Sequence, residues 1–500
     1  MELTATVQET RQHVRTQVAL LFGLVFLIAA GLMAYSQTMA FTWDEGFHII
    51  TAQMILRGRR PYLDFLFPQT DLNAYWNAGW MRLFGESWRV IHTAATLCTV
   101  GALALMTDYM YRRAPAIGWR LAATVCVVVT FGLNAIIMEF GTLGQAYGFC
   151  LLMEVIAFRF VIRAVESPGW LFAALAGFFA SAAAGGSLLT SFVAPVMLIW
   201  MLIYNQAGKR AAKLIAFLIA VVIPFTPMLY PFAQNPKLVR FSIIDYDLIY
   251  RQVQWSGAIA HDVGVLLSWV NSGQAVLLLL LGAAGLLYVH FQSGWSRARR
   301  AEVYLCVWLA AAIAALISSA HPTFGRYYLL CVPFLTVPAA IGLYSVTARL
   351  YRAERPWPAV ALVAFIFVVA AAAELWSERG NMTWPYMETV AQKVDEVTPR
   401  GASLLADEHL YFLTKRMPPS GMELWDSHKL EMKNLAGWAH FLPWSVIKQQ
   451  LRAGVYVTAE TCHDEPTRDL GPQVFEHHAD MDDCDVYWTP KPQPAAATAQ

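Results

Sequence analysis

The sequence predicts an all-α polytopic membrane protein of about eleven spans, followed by a small α/β domain. Three observations carry that prediction. Apolar residues make up 57% of the 500 residues and charged ones 14%, against roughly 45–50% and 25% in a soluble globular chain. A chain so composed cannot cover itself in polar surface, which excludes a soluble enzyme. The apolar residues also gather into runs close to the roughly 20 residues that cross a bilayer. Finally, a formal net charge of +1 denies the chain the basic face that a nucleic-acid partner requires.

In chain order the runs are 18–36, 90–110, 119–137, 143–160, 170–184, 188–204, 214–232, 263–290, 303–318, 327–346 and 358–376. The first lacks a small-residue cleavage site and is long enough to stay in the membrane, so it reads as a retained span rather than a leader. The fifth and sixth are short and meet at Gly185, Gly186 and Ser187, which leaves one broken element open as the alternative. The centres of the runs read as nearly free of ionisable residues.

Basic residues fix the orientation. One set of connections carries Arg11 and Arg15, Arg112, Arg113 and Arg120, Arg159 and Arg163, Lys209, Arg210 and Lys213, Arg297, Arg299 and Arg300, and Arg349, Arg352 and Arg355. The short connections on the other side hold only Arg326. The N-terminus is therefore expected inside and the segment after Trp376 outside.

This places residues 1–376 in a membrane domain with two long outer loops, 37–89 and 233–262. Residues 377–489 form an outer domain of ordinary soluble composition, and the Pro/Ala-rich 490–500 reads as a disordered tail. Within the outer domain, 402–406 and 454–458 read as strands and 445–452 as a helix. Cys98, Cys126, Cys150, Cys306 and Cys331 fall in spans, where a thiol behaves as a small hydrophobe. Cys462 and Cys484 are the outer pair. They are expected to be disulfide-bonded if that side is oxidising, and separated thiols otherwise.

The first outer loop opens Thr42-Trp43-Asp44-Glu45-Gly46-Phe47-His48. Adjacent carboxylates cannot face the same way, so at most one points into a site. The plain alternative is an acidic first turn of a helix. The loop continues with Arg57, Gly58, Arg59, Arg60, Pro61, Tyr62 and Asp64, then Pro68-Gln69-Thr70-Asp71-Leu72, then Phe84-Gly85.

This order resembles the first outer loop of the GT-C glycosyltransferases, membrane enzymes that take a sugar from a polyprenyl-phosphate carrier. They include the protein O-mannosyltransferases and the lipid A aminoarabinose transferases. The matching residues are Asp44-Glu45, Gly58 to Asp64, Pro68 to Leu72, and Phe84-Gly85. Arg326-Tyr327 with Pro333 fits the Arg-Tyr that such proteins carry at the outer start of a late span. Two departures stand out: Thr70-Asp71 where the family has a Pro, and Gly186-Ser187-Leu188 where a basic residue is often present. The resemblance implies a GT-C fold in the inner membrane of a bacterium. It further implies a polyprenyl-phosphate-linked sugar donor and a lipid, glycan or protein acceptor, with membrane lipids as the surroundings and no nucleic acid as partner.

Such chemistry needs a carboxylate to take the acceptor proton and a cation for the departing phosphate, a task the forked guanidinium suits. Asp44 is the leading base, with Glu45 beside it. Glu139 is the second acidic candidate, at a turn where the family places a carboxylate; the alternative is an interfacial acid paired with an Arg. Arg326 leads for the phosphate, with Tyr327 beside it, against a snorkelling anchor. Arg57, Arg59 and Arg60 form a cluster facing either a carrier phosphate or lipid head groups. Gln69, Lys237, Arg240 and Arg251 are further contacts, and Tyr246 and Tyr250 are candidates to stack on sugar. His48, four residues after Asp44, gives too few ligands for a metal site. No cofactor is indicated. A divalent metal remains compatible with the sequence, though nothing in it points to one.

Two other functions fit the composition. A polar-lipid transporter or flippase would show internal repeats and midplane charges, and no repeat is visible. A non-catalytic assembly protein with a sugar-binding outer domain is the other.

Overall fold

Each of the eleven apolar runs forms helix in the computed structural model, which describes residues 2–40, 44–206, 208–249, 258–320, 322–350, 355–377, 382–462 and 465–490. The tail 491–500, Thr42, Trp43, Tyr250 and Arg251 lie outside the described residues. Two compact units result. The first comprises Met1–Gln37, His92–Met228 and Trp255–Gly380, and the second Thr38–Ile91, Leu229–Gln254 and Asn381–Gln500. Most of the two long loops, Thr38–Ile91 and Leu229–Gln254, thus falls in one unit with the C-terminal segment, while His261 and Asp262 belong to the first.

Among the described residues, seven helices are long and apolar enough to cross a membrane: Val14–Ser36, Trp88–Arg112, Arg210–Gln234, Gly273–Phe291, Arg297–Ser319, Gly325–Leu350 and Trp357–Ser377. Ile117–Gly132, Leu171–Gly186 and Leu188–Tyr204 are shorter apolar helices. Runs five and six are separate helices, Leu171–Gly186 and Val193–Tyr204. The run 263–290 was expected as one span and is two helices, Ala258–Asn271 and Gly273–Phe291. Ser272 divides them because its extended backbone and its hydroxyl, which accepts from Ala275 N at 3.3 Å, cap a new helix.

Span centres are also less clean than the sequence suggested. Glu154 lies mid-way along Tyr147–Glu166, fully buried, with neither carboxyl oxygen hydrogen-bonded to the protein. Nothing in the fold explains this group.

Helices Gly273–Phe291 and Val332–Leu350 pack backbone to backbone. A Cβ on Gly342 would lie 1.8 Å from the Leu281 carbonyl oxygen, and one on Gly285 would lie 2.0 Å from that of Pro338. Only glycine permits the approach. In lipid, such small-residue contacts replace the hydrophobic drive that water would supply.

In the second unit, helix Glu45–Leu56 starts at Asp44 and ends before Gly58, whose φ of +82° turns the chain away. Helix Leu72–Phe84 packs against it. The C-terminal segment forms a four-stranded sheet in the order β1-β2-β4-β3, with β1 Leu404–Leu405, β2 Thr458–Thr461, β3 His477–Met481 and β4 Cys484–Trp488. β1 and β2 are parallel, and the other pairs are antiparallel. Its core gathers Leu405, Met422, Ile447, Leu451, Ala459 and Tyr487. Cys462 and Cys484 are bonded at an S–S distance of 2.07 Å. The strand expected at 454–458 begins at Thr458 instead. Gly454, at φ +67°, closes helix Trp444–Arg452 by donating to Leu451 O at 3.0 Å, so extension starts only afterwards.

The first outer loop is fastened to the C-terminal segment within this unit. Met39 bridges Thr383, Gln53 Nε2 donates to Phe412 O at 3.4 Å, and Arg59 meets Glu423 at 3.2 Å.

Candidate active site

A cleft of about 590 Å³ in the first unit brings Glu139 and Arg326 together, along with Asn134, Trp269, Gln274 and Glu374. Each comes from a helix end. Glu139 closes the short helix Ala135–Phe140, and Gln274 begins Gly273–Phe291. Arg326 sits in the 3-10 turn Gly325–Cys331, and Glu374 lies in the last turn of Trp357–Ser377. Apolar Ile136, Val265, Leu278, Val332 and Ala370 form much of the wall.

Gln274 holds the cleft's frame. Its Oε1 accepts from Ala135 N at 2.9 Å, and its Nε2 donates to Leu133 O at 2.9 Å and Phe367 O at 3.1 Å. One amide thereby ties three helical segments and satisfies the exposed first turn of the Glu139 helix. That short helix is held at its other end too, where the Thr99 hydroxyl donates to Gly141 O at 2.5 Å and the Thr142 hydroxyl donates to Met138 O at 3.0 Å. Glu139 is only 7% exposed.

The Arg326 guanidinium lies 4.2 Å from the Phe324 ring centroid and 5.3 Å from that of Tyr327. Aromatic faces attract such a cation and limit its wandering. Tyr327 is tilted against Tyr147 at 6.1 Å. Tyr328 stacks on Trp269 at 4.4 Å, and its hydroxyl is 2.8 Å from Ser318 Oγ, which anchors the turn from below. A guanidinium, a carboxyl and an apolar wall in one cleft suit a ligand with an anionic head and a hydrocarbon body.

In the second unit, Asp44 is half-buried at the start of helix Glu45–Leu56 and makes no capping hydrogen bond, while Glu45 is fully buried in the first turn. The two carboxyls therefore occupy different environments. Gly46 follows because a Cβ there would come within 2.5 Å of His409 Nδ1. His48 is buried against Phe47.

Arg57, Arg59 and Arg60 of the first loop are engaged within the fold. Arg60 and Asp64 pair in a fork, with Nε at 3.1 Å and Nη2 at 2.9 Å, which holds the Asp64 carboxyl below its usual range. Arg57 donates to Lys415 O at 3.2 Å and lies 3.7 Å from Glu86. Arg59 donates to Asp64 O at 2.6 Å. Gln69 accepts the Tyr62 hydroxyl through its backbone carbonyl at 2.7 Å. Arg240 pairs with Asp245 at 3.4 Å, and Lys237 is exposed. Tyr246 is buried, edge-on to Phe241 at 6.4 Å, so it presents no face to a sugar. Arg251 and Tyr250 lie outside the described residues.

Sequence reasoning missed Gln274, Trp269 and Glu374. A lone Gln after Ser272-Gly273 in an apolar run was the available signal for the first.

No family model matches the sequence, and no curated protein matches it. Among solved structures, ArnT from Cupriavidus metallidurans bound to undecaprenyl phosphate superposes with a TM-score of 0.67 at 13% identity, covering 96% of this chain and 99% of that one. ArnT in the apo state gives 0.66 at 14% identity, covering 97% and 100%. The archaeal oligosaccharyltransferase AglB from Archaeoglobus fulgidus, in complex with an inhibitory peptide and a dolichol-phosphate, gives 0.48 at 12% identity, covering 80% and 64%, too distant to carry an argument. The chain thus shares the ArnT fold over nearly its whole length.

Proposed function

We propose that this protein is an integral-membrane glycosyltransferase that moves a sugar from a polyprenyl-phosphate carrier to an acceptor hydroxyl on the extracytoplasmic face of a bacterial inner membrane. The cleft holding Arg326 and Glu139 between helix ends is the observation that carries this reading. The shared fold supports it, since the matched ArnT structure holds undecaprenyl phosphate.

In the reaction, the acceptor oxygen attacks the anomeric carbon of the sugar. The bond from that carbon to the phosphate oxygen breaks, and the phosphate leaves with the electron pair. Arg326 meets the charge that gathers on the phosphate, where a charge-assisted contact is worth more than in water. The acceptor proton passes to a carboxylate. Asp44 takes that role, on the resemblance of the first outer loop and on its place at a helix start. Glu45, fully buried, supports the helix. Glu139 lines the cleft beside Arg326 and contacts sugar or acceptor hydroxyls.

The test is transfer of labelled sugar from undecaprenyl-phosphate donors by the purified protein in nanodiscs. Asp44→Asn keeps size and removes the proton acceptor, so transfer should fall roughly 10²–10⁴-fold while undecaprenyl phosphate still binds. Near wild-type transfer by that variant would remove Asp44 from the role. Movement of the lipid across the bilayer with no transfer from any donor would replace the enzyme by a flippase.

A further inference from the structure

The turn that presents Arg326 is gripped from outside its own helix. Asp262 Oδ1 accepts the Thr323 N–H at 2.9 Å, with Asp262 4% exposed and Thr323 fully buried. The neighbouring His261 Nε2 lies 3.1 Å from the carbonyl oxygen of the same residue. Two consecutive side chains at the start of helix Ala258–Asn271 therefore take the donor and the acceptor of one residue. The next residue, Phe324, sets its ring edge-on to His261 at 6.3 Å and carries the Arg326 guanidinium on its face at 4.2 Å. The contacts run unbroken from residues 261 and 262, through 323 and 324, to the cation in the cleft.

We propose that Asp262, with His261, is a positioning residue for Arg326: it fixes the backbone entering the Gly325–Cys331 turn and so sets where the guanidinium meets an anionic ligand. A buried carboxylate accepting a backbone N–H is a charge-assisted bond, stronger than a neutral one and confined to one geometry. Arg326 carries a long flexible stem, and the Phe324 ring orients its head only if the residue before that ring is itself held. Without the grip, the head samples positions from which fewer contacts to phosphate form, and a misplacement of an ångström is enough to matter. This proposal rests on Arg326 serving the carrier phosphate.

The experiment measures undecaprenyl phosphate binding to the full-length protein in nanodiscs, together with thermal stability. Asp262→Ala should weaken binding about tenfold, the loss of one charge-assisted contact, and Arg326→Ala should weaken it at least as much. Asp262→Asn retains an oxygen that accepts the Thr323 N–H and should recover most of the affinity. The double variant Asp262→Ala with Arg326→Ala should bind no worse than Arg326→Ala alone, which a general loss of stability would not produce. Where the alanine protein does not fold, Asp262→Ser serves, being too short to reach the amide. Normal binding by Asp262→Ala or Asp262→Ser beside a weakened Arg326→Ala overturns the positioning role alone, as do additive losses in the double variant. Normal binding by Arg326→Ala removes the phosphate assignment and the positioning role with it.

Discussion

The indole rings of Trp88 and Trp384 lie face to face, 5.0 Å apart and 8° from parallel. Both are buried, at 1% and 0% exposure. Glu388 binds the edge of the stack, accepting from Trp88 Nε1 at 2.9 Å and from Arg89 at 2.7 Å, and the Arg89 guanidinium covers the Trp88 ring at 4.3 Å. The first outer loop and the start of the C-terminal segment are joined at this point. Trp384→Ala should cost about 3–5 kcal/mol, read as a lower unfolding temperature and faster proteolysis of the outer segment. Trp384→Phe, which keeps a ring against Trp88, should recover much of the loss.

The glycine contact in the membrane unit gives a sharper result. A side chain at Gly342 meets the Leu281 carbonyl oxygen at 1.8 Å, and backbone cannot yield as a flexible side chain does. Gly342→Val should therefore separate the two helices and abolish accumulation of folded protein, assayed by monodispersity after detergent extraction. Gly264→Val, where nothing lies within 4 Å, is the control and should accumulate normally.

The apolar runs were legible because 20 consecutive apolar residues have few other uses. What escaped was fine punctuation inside them. Asn271, Ser272 and Gly273 end one helix and begin another, yet three small or polar residues barely lower the apolar count of a 28-residue run. Glu154 and Gln274 were each one polar residue among many apolar ones, and only burial, with hydrogen-bond partners in the case of Gln274, distinguishes them. In the outer domain, β3 has exposed and half-exposed residues and reads as polar loop, because its partner β4 supplies the buried face. The residues chosen for chemistry divide between two units whose segments alternate along the chain. Glu139 and Arg326 proved to share a cleft, which spacing alone does not reveal.

Four buried carboxyls in the second unit, Asp71, Glu408, Glu423 and Glu460, resist ionisation and shape its response to pH, Glu460 being held well above its usual range by burial. Burial pushes Glu408 up to about 8 from 4.5, and Glu423 up to about 7 despite its ion pair with Arg59. Asp71 rises to about 7 from 3.8. Between the ordinary and the raised value, the folded protein keeps a proton that the unfolded chain has released. Stability from these groups is thus complete at low pH and falls as pH rises towards 8. His428, pulled by burial to about 4 from 6.5, acts in the opposite sense, but only below 6.5. The window from pH 6.5 to 8 therefore isolates the carboxyls. The unfolding temperature should drop across it by on the order of 5 °C. Glu408→Gln keeps an oxygen for the Trp425 N–H, which Glu408 Oε1 now accepts at 2.7 Å, and should flatten the upper half of that slope. An unchanged slope would mean that Glu408 is ionised in the folded protein.

Orientation follows from which helix ends carry the cations. Helices Trp88–Arg112 and Arg297–Ser319 meet near their basic ends: Arg113 lies 3.2 Å from Glu302, whose carboxylate also accepts the Tyr109 hydroxyl at 2.9 Å. Arg113 further pairs with Glu166 at 2.6 Å, and Arg159 with Asp108 at 2.6 Å. These pairs neutralise part of the basic excess, but Arg297 and Lys209 pair with no carboxylate among the described residues, and basic residues rather than net charge decide topology. An alkaline phosphatase reporter fused after Trp376 should be active, and one fused after Arg113 silent. The reverse pattern would put Glu139, Arg326 and Glu374 on the cytoplasmic face. A carrier-linked sugar presented outside would then be out of reach, and the proposed reaction would fall with the orientation.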